Sequence, residues 1–152
     1  MNDIKKLITQ NENRKLEFKE VFPTKDKIIK TAIAFSNSQG GDLIIGVSDD
    51  KKVIGIDDNE VIKYEEILSN MIYDNCSPNI MPEIFSVFIE NKTLLVIHFY
   101  PSNNKPHYIK KEGKLKGTYV RLGSSNRVAT LDIIENLERE KRSISFDSVV
   151  NY

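Results

Sequence analysis

Two stretches in the first third of the chain decide the fold: Leu16-Glu17-Phe18-Lys19-Glu20 and Ala34-Phe35-Ser36-Asn37-Ser38-Gln39-Gly40-Gly41-Asp42-Leu43-Ile44-Ile45-Gly46-Val47-Ser48-Asp49. The first alternates apolar and charged side chains, which predicts a half-buried strand. The second closes an apolar-striped helix, breaks at two glycines and continues as an apolar run typical of a buried strand. Together they predict a strand, a helix and a second strand that ends in acidic residues.

The remaining sequence continues this mixture of strands and helices. Residues 83–90 and 93–100 alternate around Asn91-Lys92 and predict a hairpin. A further strand pair is expected over residues 106–111 and 118–122, joined by a basic tip, and Thr130 precedes a last amphipathic helix. The chain is therefore expected to be an α+β domain, with a mixed, mainly antiparallel sheet of about six strands covered by about three helices.

Length and composition favour one cytoplasmic domain. The chain has 152 residues, enough to bury a core, and no apolar run approaches the ~18 residues of a membrane span. Cys76 is the one cysteine, so an internal disulfide is excluded and a reducing compartment is expected. Residues 1–142 are expected to form the domain, and residues 143–152, with their apolar side chains, to begin a linker or the next domain of a longer protein.

The charge is unevenly distributed although the net charge is zero. Residues 105–127 contain seven basic side chains and one acidic one, which indicates a localised anionic partner. The candidate nucleic-acid-binding residues are Lys105, Lys110, Lys111, Lys114, Lys116, Tyr119, Arg121 and Arg127. Tyr119 and Arg121 share one strand face and would suit base stacking and phosphate binding. The alternative is a solvated hairpin whose lysines only maintain solubility, and His107 is expected to be exposed beside it.

A second candidate site is acidic. Glu17 and Lys19 are two residues apart on a strand and therefore point the same way. If their strand neighbours the one that ends at Asp49, the carboxylates of Glu12, Glu17 and Asp49 can converge and bind Mg²⁺ or Mn²⁺, with Lys19 stabilising charge on a phosphate. The alternative is an exposed, salt-bridged strand face with acids that serve turns. Gly40-Gly41 is better explained as a helix stop than as a phosphate loop, so no ATP site is expected.

The order of these motifs resembles the Schlafen-like Alba-type domain. The resemblance covers residues 12–137 and rests on the two opening stretches, on Asp50 after them, on Lys105-Pro106-His107-Tyr108, and on Tyr119-Val120-Arg121-Leu122-Gly123-Ser124-Ser125-Asn126. Similar domains often begin bacterial and archaeal proteins described as divergent AAA proteins or predicted transcriptional regulators.

The resemblance implies both a fold and an activity. In the animal Schlafen proteins, similar domains cut structured RNAs such as transfer RNA with metal-binding acids. By position, Glu12 and Glu17 match the paired acids, Lys19 the neighbouring lysine and Asp49 the third acid. The animal proteins contain two such lobes and a zinc site, whereas this chain has one lobe and lacks the cysteine and histidine set. A homodimer is therefore expected to supply the second lobe.

The leading functional prediction is a DNA- or RNA-binding domain of a transcriptional regulator or defence protein, with metal-dependent RNase activity as an extension. The rival prediction is a non-catalytic sensor or protein-interaction module, in which the basic segment and residues 143–152 dock a partner domain. Nucleic acid is the expected partner under the first prediction, and no membrane contact is expected under either.

Overall fold

The computed structural model describes the backbone of residues 2–150 and the side chains of residues 4–141. The elements follow the order α1 (Asn2–Leu7), β1 (Leu16–Lys19), α2 (Lys25–Asn37), β2 (Gly41–Ile45), α3 (Val61–Asn75), β3 (Cys76–Ser77), β4 (Glu83–Ile89), β5 (Lys92–Phe99), β6 (Tyr108–Ile109), α4 (Gly113–Gly117), β7 (Tyr119–Leu122), β8 (Ser125–Val128) and α5 (Leu131–Val150). A short 3₁₀ helix at Asp58–Glu60 precedes α3.

The main sheet has four strands in the order β1-β2-β5-β4. Strands β1 and β2 are joined by α2, as the two opening stretches predict, and they pair in parallel, with Leu16 in register with Asp42. Strand β5 runs antiparallel to both β2 and β4. The predicted hairpin around Asn91 is confirmed, since β4 and β5 pair directly through this turn.

The expectation of a single sheet of about six strands covered by about three helices is too specific, since the described residues contain the five helices α1 to α5. Within the described residues, two separate two-stranded sheets, β3-β6 and β7-β8, accompany the main sheet. The predicted strand pair over residues 106–111 and 118–122 is present only as a single β-bridge between Tyr108 and Thr118. The basic tip between the two segments contains α4. Gly117 closes this turn against strand β6, where a Cβ atom would lie 2.9 Å from the backbone of Ile109. Strand β7 therefore pairs with β8.

Apolar side chains cover both faces of the main sheet. One core lies between the sheet and α2 and α3, and it includes Leu43 and Ile45 of β2. The other lies on the α1 side and includes Leu16, Phe18 and Ile44. This alternation follows from the two-residue period of a strand, and it determines which side chains of β1 and β2 face which way.

Helix α2 begins and ends where the sequence predicts. The side chain of Thr24 caps its first turn by accepting a hydrogen bond from the Lys27 backbone N–H at 3.4 Å. Beyond its last turn, the N–H of Gly40 donates to the carbonyl of Phe35 at 2.9 Å. Gly40 has a φ of +77°, and a Cβ atom there would lie 2.5 Å from the carbonyl oxygen of Phe99. Glycine is needed both for the left-handed backbone and for the close approach.

The last helix is longer than predicted. Helix α5 extends from Leu131 to Val150, so the backbone that was expected to begin a linker continues the helix. The side chains expected to need a partner surface, those of Ile144, Phe146, Val149 and Val150, lie outside the described side chains. Among the residues that the structure describes, no helix combines the length and apolar character required to cross a bilayer.

Candidate functional site

Glu17 and Lys19 project from the same face of β1, as their spacing predicts. Lys19 Nζ lies 3.3 Å from Glu17 Oε2. In the parallel pairing of β1 and β2, Glu17 is in register with Leu43 and Lys19 with Ile45, both of which face the α2 side. The Glu-x-Lys pair therefore lies on the α2 side of the sheet, and Glu17 is buried there.

The buried Glu17 carboxylate is paired with a cation from the far end of the chain. Arg121 of β7 places Nη1 2.5 Å from Glu17 Oε1, and its side chain has no exposed surface. The same guanidinium donates to the backbone carbonyls of Asn13 and Leu16 and to the side chain of Asn126. It also lies 4.8 Å from the centre of the Phe35 ring. Arg121 thereby fastens the β7–β8 hairpin to the edge of β1.

The predicted pairing of Tyr119 with Arg121 on one strand face holds, but that face points into the protein. Tyr119 is 9% exposed and belongs to the core on the α2 side, with Lys30 Nζ 5.3 Å from its ring centre. The two side chains were expected to be exposed to a ligand, but both are buried. The physical reason is that Glu17, Asn13 and Leu16 already supply the acceptors that a guanidinium requires.

Glu12 and Asp49 lie elsewhere. Glu12 Oε2 accepts a hydrogen bond from the backbone N–H of Phe18 at 2.9 Å, and Asp49 is exposed beyond the end of β2. Both line a cavity of about 310 Å³ together with Phe18 and Lys51. Phe18 belongs to the core on the α1 side. Phe18 and Glu17 are neighbours on β1 and point to opposite faces, and Glu17 does not line this cavity.

The three acids therefore do not form the predicted metal site. No group of three histidine, cysteine or carboxylate side chains in the described part of the chain is arranged to hold a metal ion. Glu17 is compensated by Arg121 and Lys19, while Glu12 caps a strand N–H. A divalent ion needs several converging oxygen ligands, which this donor set does not provide. The residues do not fit Mg²⁺ or Mn²⁺ in this conformation, and no catalytic step can be derived through Glu12, Glu17, Lys19 and Asp49.

The basic segment presents cations to solvent on α4, just before α4 and on β8. Of the eight predicted nucleic-acid-binding residues, five side chains are exposed: Lys110, Lys111, Lys114, Lys116 and Arg127. Lys105 is partly exposed at the entrance to the segment. We call these six residues the basic surface. Two of its lysines contact α5, since Lys105 Nζ lies 3.1 Å from Glu140 and Lys114 Nζ lies 2.9 Å from Glu138.

Polar side chains that the sequence did not single out position this surface. Asn37, at the end of α2, is buried; it donates to the carbonyls of His107 and Tyr119 and accepts from the His107 N–H. Asn37 is also a residue type that is common near the end of a helix. That local preference does not predict hydrogen-bond partners 70 and 82 positions away in the sequence. Asn37 therefore fixes both ends of the segment that carries the lysines of α4.

His107 is 3% exposed, in contrast to the sequence expectation. Its Nδ1 lies 2.8 Å from the carbonyl of Pro78, which can only accept, so Nδ1 carries the proton. Nε2 is then the acceptor and receives a hydrogen bond from Ser102 Oγ at 2.6 Å. Burial lowers the pKa of His107, and the nearby charges of Lys141 and Lys105 act in the same direction. A neutral imidazole thus anchors the loop that contains Lys105.

Comparison with known proteins identifies the class of domain. The family model described as Schlafen, AlbA_2 matches residues 12–130. The chain belongs to this family, as the ordered motifs predict. A search of curated proteins found no match.

Two solved structures share the fold. The N-terminal domain of a Nitrosomonas europaea protein, named as related to the ATP-dependent DNA helicase RecG, is 26% identical with a TM-score of 0.59, and the match covers 86% of this chain and 92% of that domain. The DIP2311 protein from Corynebacterium diphtheriae is 16% identical with a TM-score of 0.57 over 84% of this chain. The present chain covers only 26% of that protein, so this likeness concerns the fold of one part.

Proposed function

We propose that this domain binds nucleic acid through the basic surface. The observation that carries the proposal is the exposure of five cations within residues 105–127, a segment whose one acidic residue is Glu112. Lysine and arginine side chains at a surface neutralise phosphates and release counterions, and this supplies most of the affinity of non-specific binding. Tyr119 and Arg121 are not included, because their buried side chains hold the hairpin that carries Arg127.

The relatives give this proposal its context. The RecG-related protein from Nitrosomonas europaea is named for a DNA helicase, and this chain covers nearly all of its N-terminal domain. A terminal domain that binds DNA or RNA would bring the rest of such a protein to its substrate. We therefore propose that the present domain acts in the same manner in a cytoplasmic regulator or defence protein.

The proposal is for binding without metal-dependent cleavage. RNase activity would need carboxylates that converge on one ion, whereas Glu17 is paired with Arg121 and does not line the cavity that Glu12 and Asp49 share. The homodimer stays a prediction motivated by the single lobe. Light scattering over a wide protein concentration range checks it, and a monomer mass throughout would contradict it.

Fluorescence anisotropy with labelled duplex DNA and single-stranded RNA tests the binding proposal. The decisive variant is K110Q/K116Q, which removes two exposed cations of the basic surface. The matched control is K52Q/K92Q, which removes two exposed cations outside it. We expect wild-type affinity to fall steeply with salt, and K110Q/K116Q to lower the slope of log K against log salt by about 0.7–0.9 per lysine.

The outcomes separate the two predicted functions. Weaker binding by K110Q/K116Q, with K52Q/K92Q close to wild type, supports the basic surface. Equal losses in both variants would show that the surface has no special role. Undetectable wild-type binding at ~50 mM salt and micromolar protein would overturn the proposal, because non-specific binders reach ~10⁻⁴–10⁻⁶ M, and would favour the protein-interaction module.

A further inference from the structure

A cleft of about 300 Å³ lies where the loop before β6 meets α4 and α5. Three lysines line it, one from each of these elements: Lys105, Lys114 and Lys141. Ser77 and Tyr108 add hydroxyl groups to its wall, with Ser77 Oγ 3.4 Å from the Tyr108 oxygen. The cleft thus offers ammonium and hydroxyl donors, which are the groups that phosphate oxygens accept from.

The acids that contact these lysines both come from α5. Lys114 Nζ lies 2.9 Å from Glu138 Oε2, and Lys105 Nζ lies 3.1 Å from Glu140 Oε2. The carboxylates are accessible to solvent, with 33% of the Glu138 side chain and 53% of the Glu140 side chain exposed. Exposed ion pairs of this kind are weak and can exchange partners. Helix α5 therefore holds two cations of the basic surface with groups that a phosphate can replace.

The third lysine lies close enough to add its charge to the same place. The charges of Lys141 and Lys105 both disfavour protonation of His107, which is buried behind the Lys105 loop. Both lysines also line the cleft, so their charges lie in the same region of the protein. An anion that entered between them would be attracted by both charges.

We propose that this cleft binds a phosphate group of the nucleic-acid backbone, and that Glu138 and Glu140 hold its lysines until the phosphate displaces them. This inference rests on the proposed function. It adds the location at which one phosphate binds and a role for α5 in limiting that binding. Carboxylate and phosphate oxygens compete for the same ammonium donors, so the acids of α5 lower the affinity of the basic surface.

The test compares E138Q/E140Q with wild type in the same anisotropy assay at ~50 mM salt. Glutamine keeps the size of each side chain and removes the charge, so Lys105 and Lys114 become available. We expect the variant to bind the labelled duplex roughly three- to tenfold more tightly, the range that two weak ion pairs can supply. The matched control is D132N/E135Q, which removes two exposed acids of the same helix that line no part of this cleft.

A second background distinguishes a specific cleft from a general charge effect. In K105Q/K114Q, the two lysines of the cleft that Glu138 and Glu140 contact are absent, so adding E138Q/E140Q is expected to give no gain at the cleft. Circular dichroism and urea unfolding establish that each variant is folded. Two results would overturn the proposal that the cleft binds a phosphate. One is an increase in affinity that persists in the K105Q/K114Q background. The other is an increase in D132N/E135Q as large as that in E138Q/E140Q.

Failure of the inference can be told apart from failure of the proposed function. If the wild type binds nucleic acid through Lys110 and Lys116 but E138Q/E140Q binds no better, only the proposal for the cleft is overturned. If neither the wild type nor E138Q/E140Q binds, the proposal that the basic surface binds nucleic acid is overturned as well.

Discussion

The guanidinium of Arg121 lies 2.5 Å from the carboxylate of Glu17 although 104 positions separate the two residues. The pair joins the β7–β8 hairpin to the edge strand of the main sheet. It also decides what these residues can do, because a buried acid that is compensated by a buried cation has little capacity left for a metal ion or a phosphate. In this chain, Glu17 and Arg121 therefore serve the structure.

Removal of one partner of this pair is expected to be costly. In R121A, Glu17 stays buried with only Lys19 as a cationic partner, and the carbonyls of Asn13 and Leu16 lose their hydrogen bonds from the guanidinium. We expect the free energy of unfolding to fall by about 3–5 kcal/mol, the range for breaking a buried ion pair. Urea denaturation of R121A and of R127A, which changes an exposed arginine of the same hairpin, measures the difference. Similar unfolding midpoints for the two variants would contradict a structural role for Arg121.

Gly40 provides a second test, this time of the close approach at the end of α2. Gly40 and Gly113 have similar φ values, +77° and +82°, but an added Cβ atom would meet the Phe99 carbonyl at 2.5 Å in the first case and nothing within 4 Å in the second. G113A reports the cost of the left-handed backbone alone, about 1–2 kcal/mol. We expect G40A to cost about 1–3 kcal/mol more, from overpacking. Equal losses in the two variants would exclude the steric contribution.

These residues show how far the sequence could predict the structure. The strand–helix–strand unit was predictable because alternation at residues 16–20, the apolar stripe of α2 and the Gly40-Gly41 break are all local signals. The directions of Glu17 and Lys19 were predictable for the same reason, since they depend only on strand period.

The partners of these side chains were not predictable. Whether Tyr119 and Arg121 face solvent depends on which side of β7 meets α2, and this is fixed by contacts such as those of Asn37 across 82 positions. The acidic site failed on a similar point. The sequence suggested that Glu12, Glu17 and Asp49 converge if β1 and β2 are neighbours. The two strands do pair, but Asp49 lies beyond the end of β2, where strand period no longer predicts its direction.

The buried imidazole of His107 makes stability depend on pH. Its pKa is lowered in the folded protein, mainly by burial, so the fold keeps the ring neutral at pH values where the unfolded chain, with a pKa of about 6.5, binds a proton. The stability contribution is complete above about pH 6.5 and is lost as the pH falls below it, levelling off below the folded pKa. For one proton, the slope is at most about 1.4 kcal/mol per pH unit.

Urea unfolding of wild type and H107Q at several pH values between about 4.5 and 8 measures this contribution. H107Q loses hydrogen bonds at every pH, so the informative quantity is the slope below about pH 6.5, which we expect to be smaller than in the wild type. S102A is the matched control, because it removes the hydroxyl partner of Nε2 but retains the titrating ring. An H107Q slope equal to that of the wild type would contradict the sign of the pKa shift.

The last prediction concerns metal-dependent cleavage, which the family resemblance implies and the geometry does not support. We expect incubation of the chain with structured RNA to give the same products in Mg²⁺, in Mn²⁺ and in EDTA, because Glu12, Glu17 and Asp49 do not converge. Gel electrophoresis of the RNA provides the measurement.

The variant for this assay must separate chemistry from folding. E17Q leaves Arg121 buried without its carboxylate, so lost activity in E17Q could reflect unfolding. D49N is the informative variant, since Asp49 is exposed and is not among the residues that contact Arg121. Cleavage that requires Mn²⁺ or Mg²⁺ and disappears in D49N, while the urea midpoint of D49N equals that of the wild type, would show that the acids assemble in a conformation different from this one.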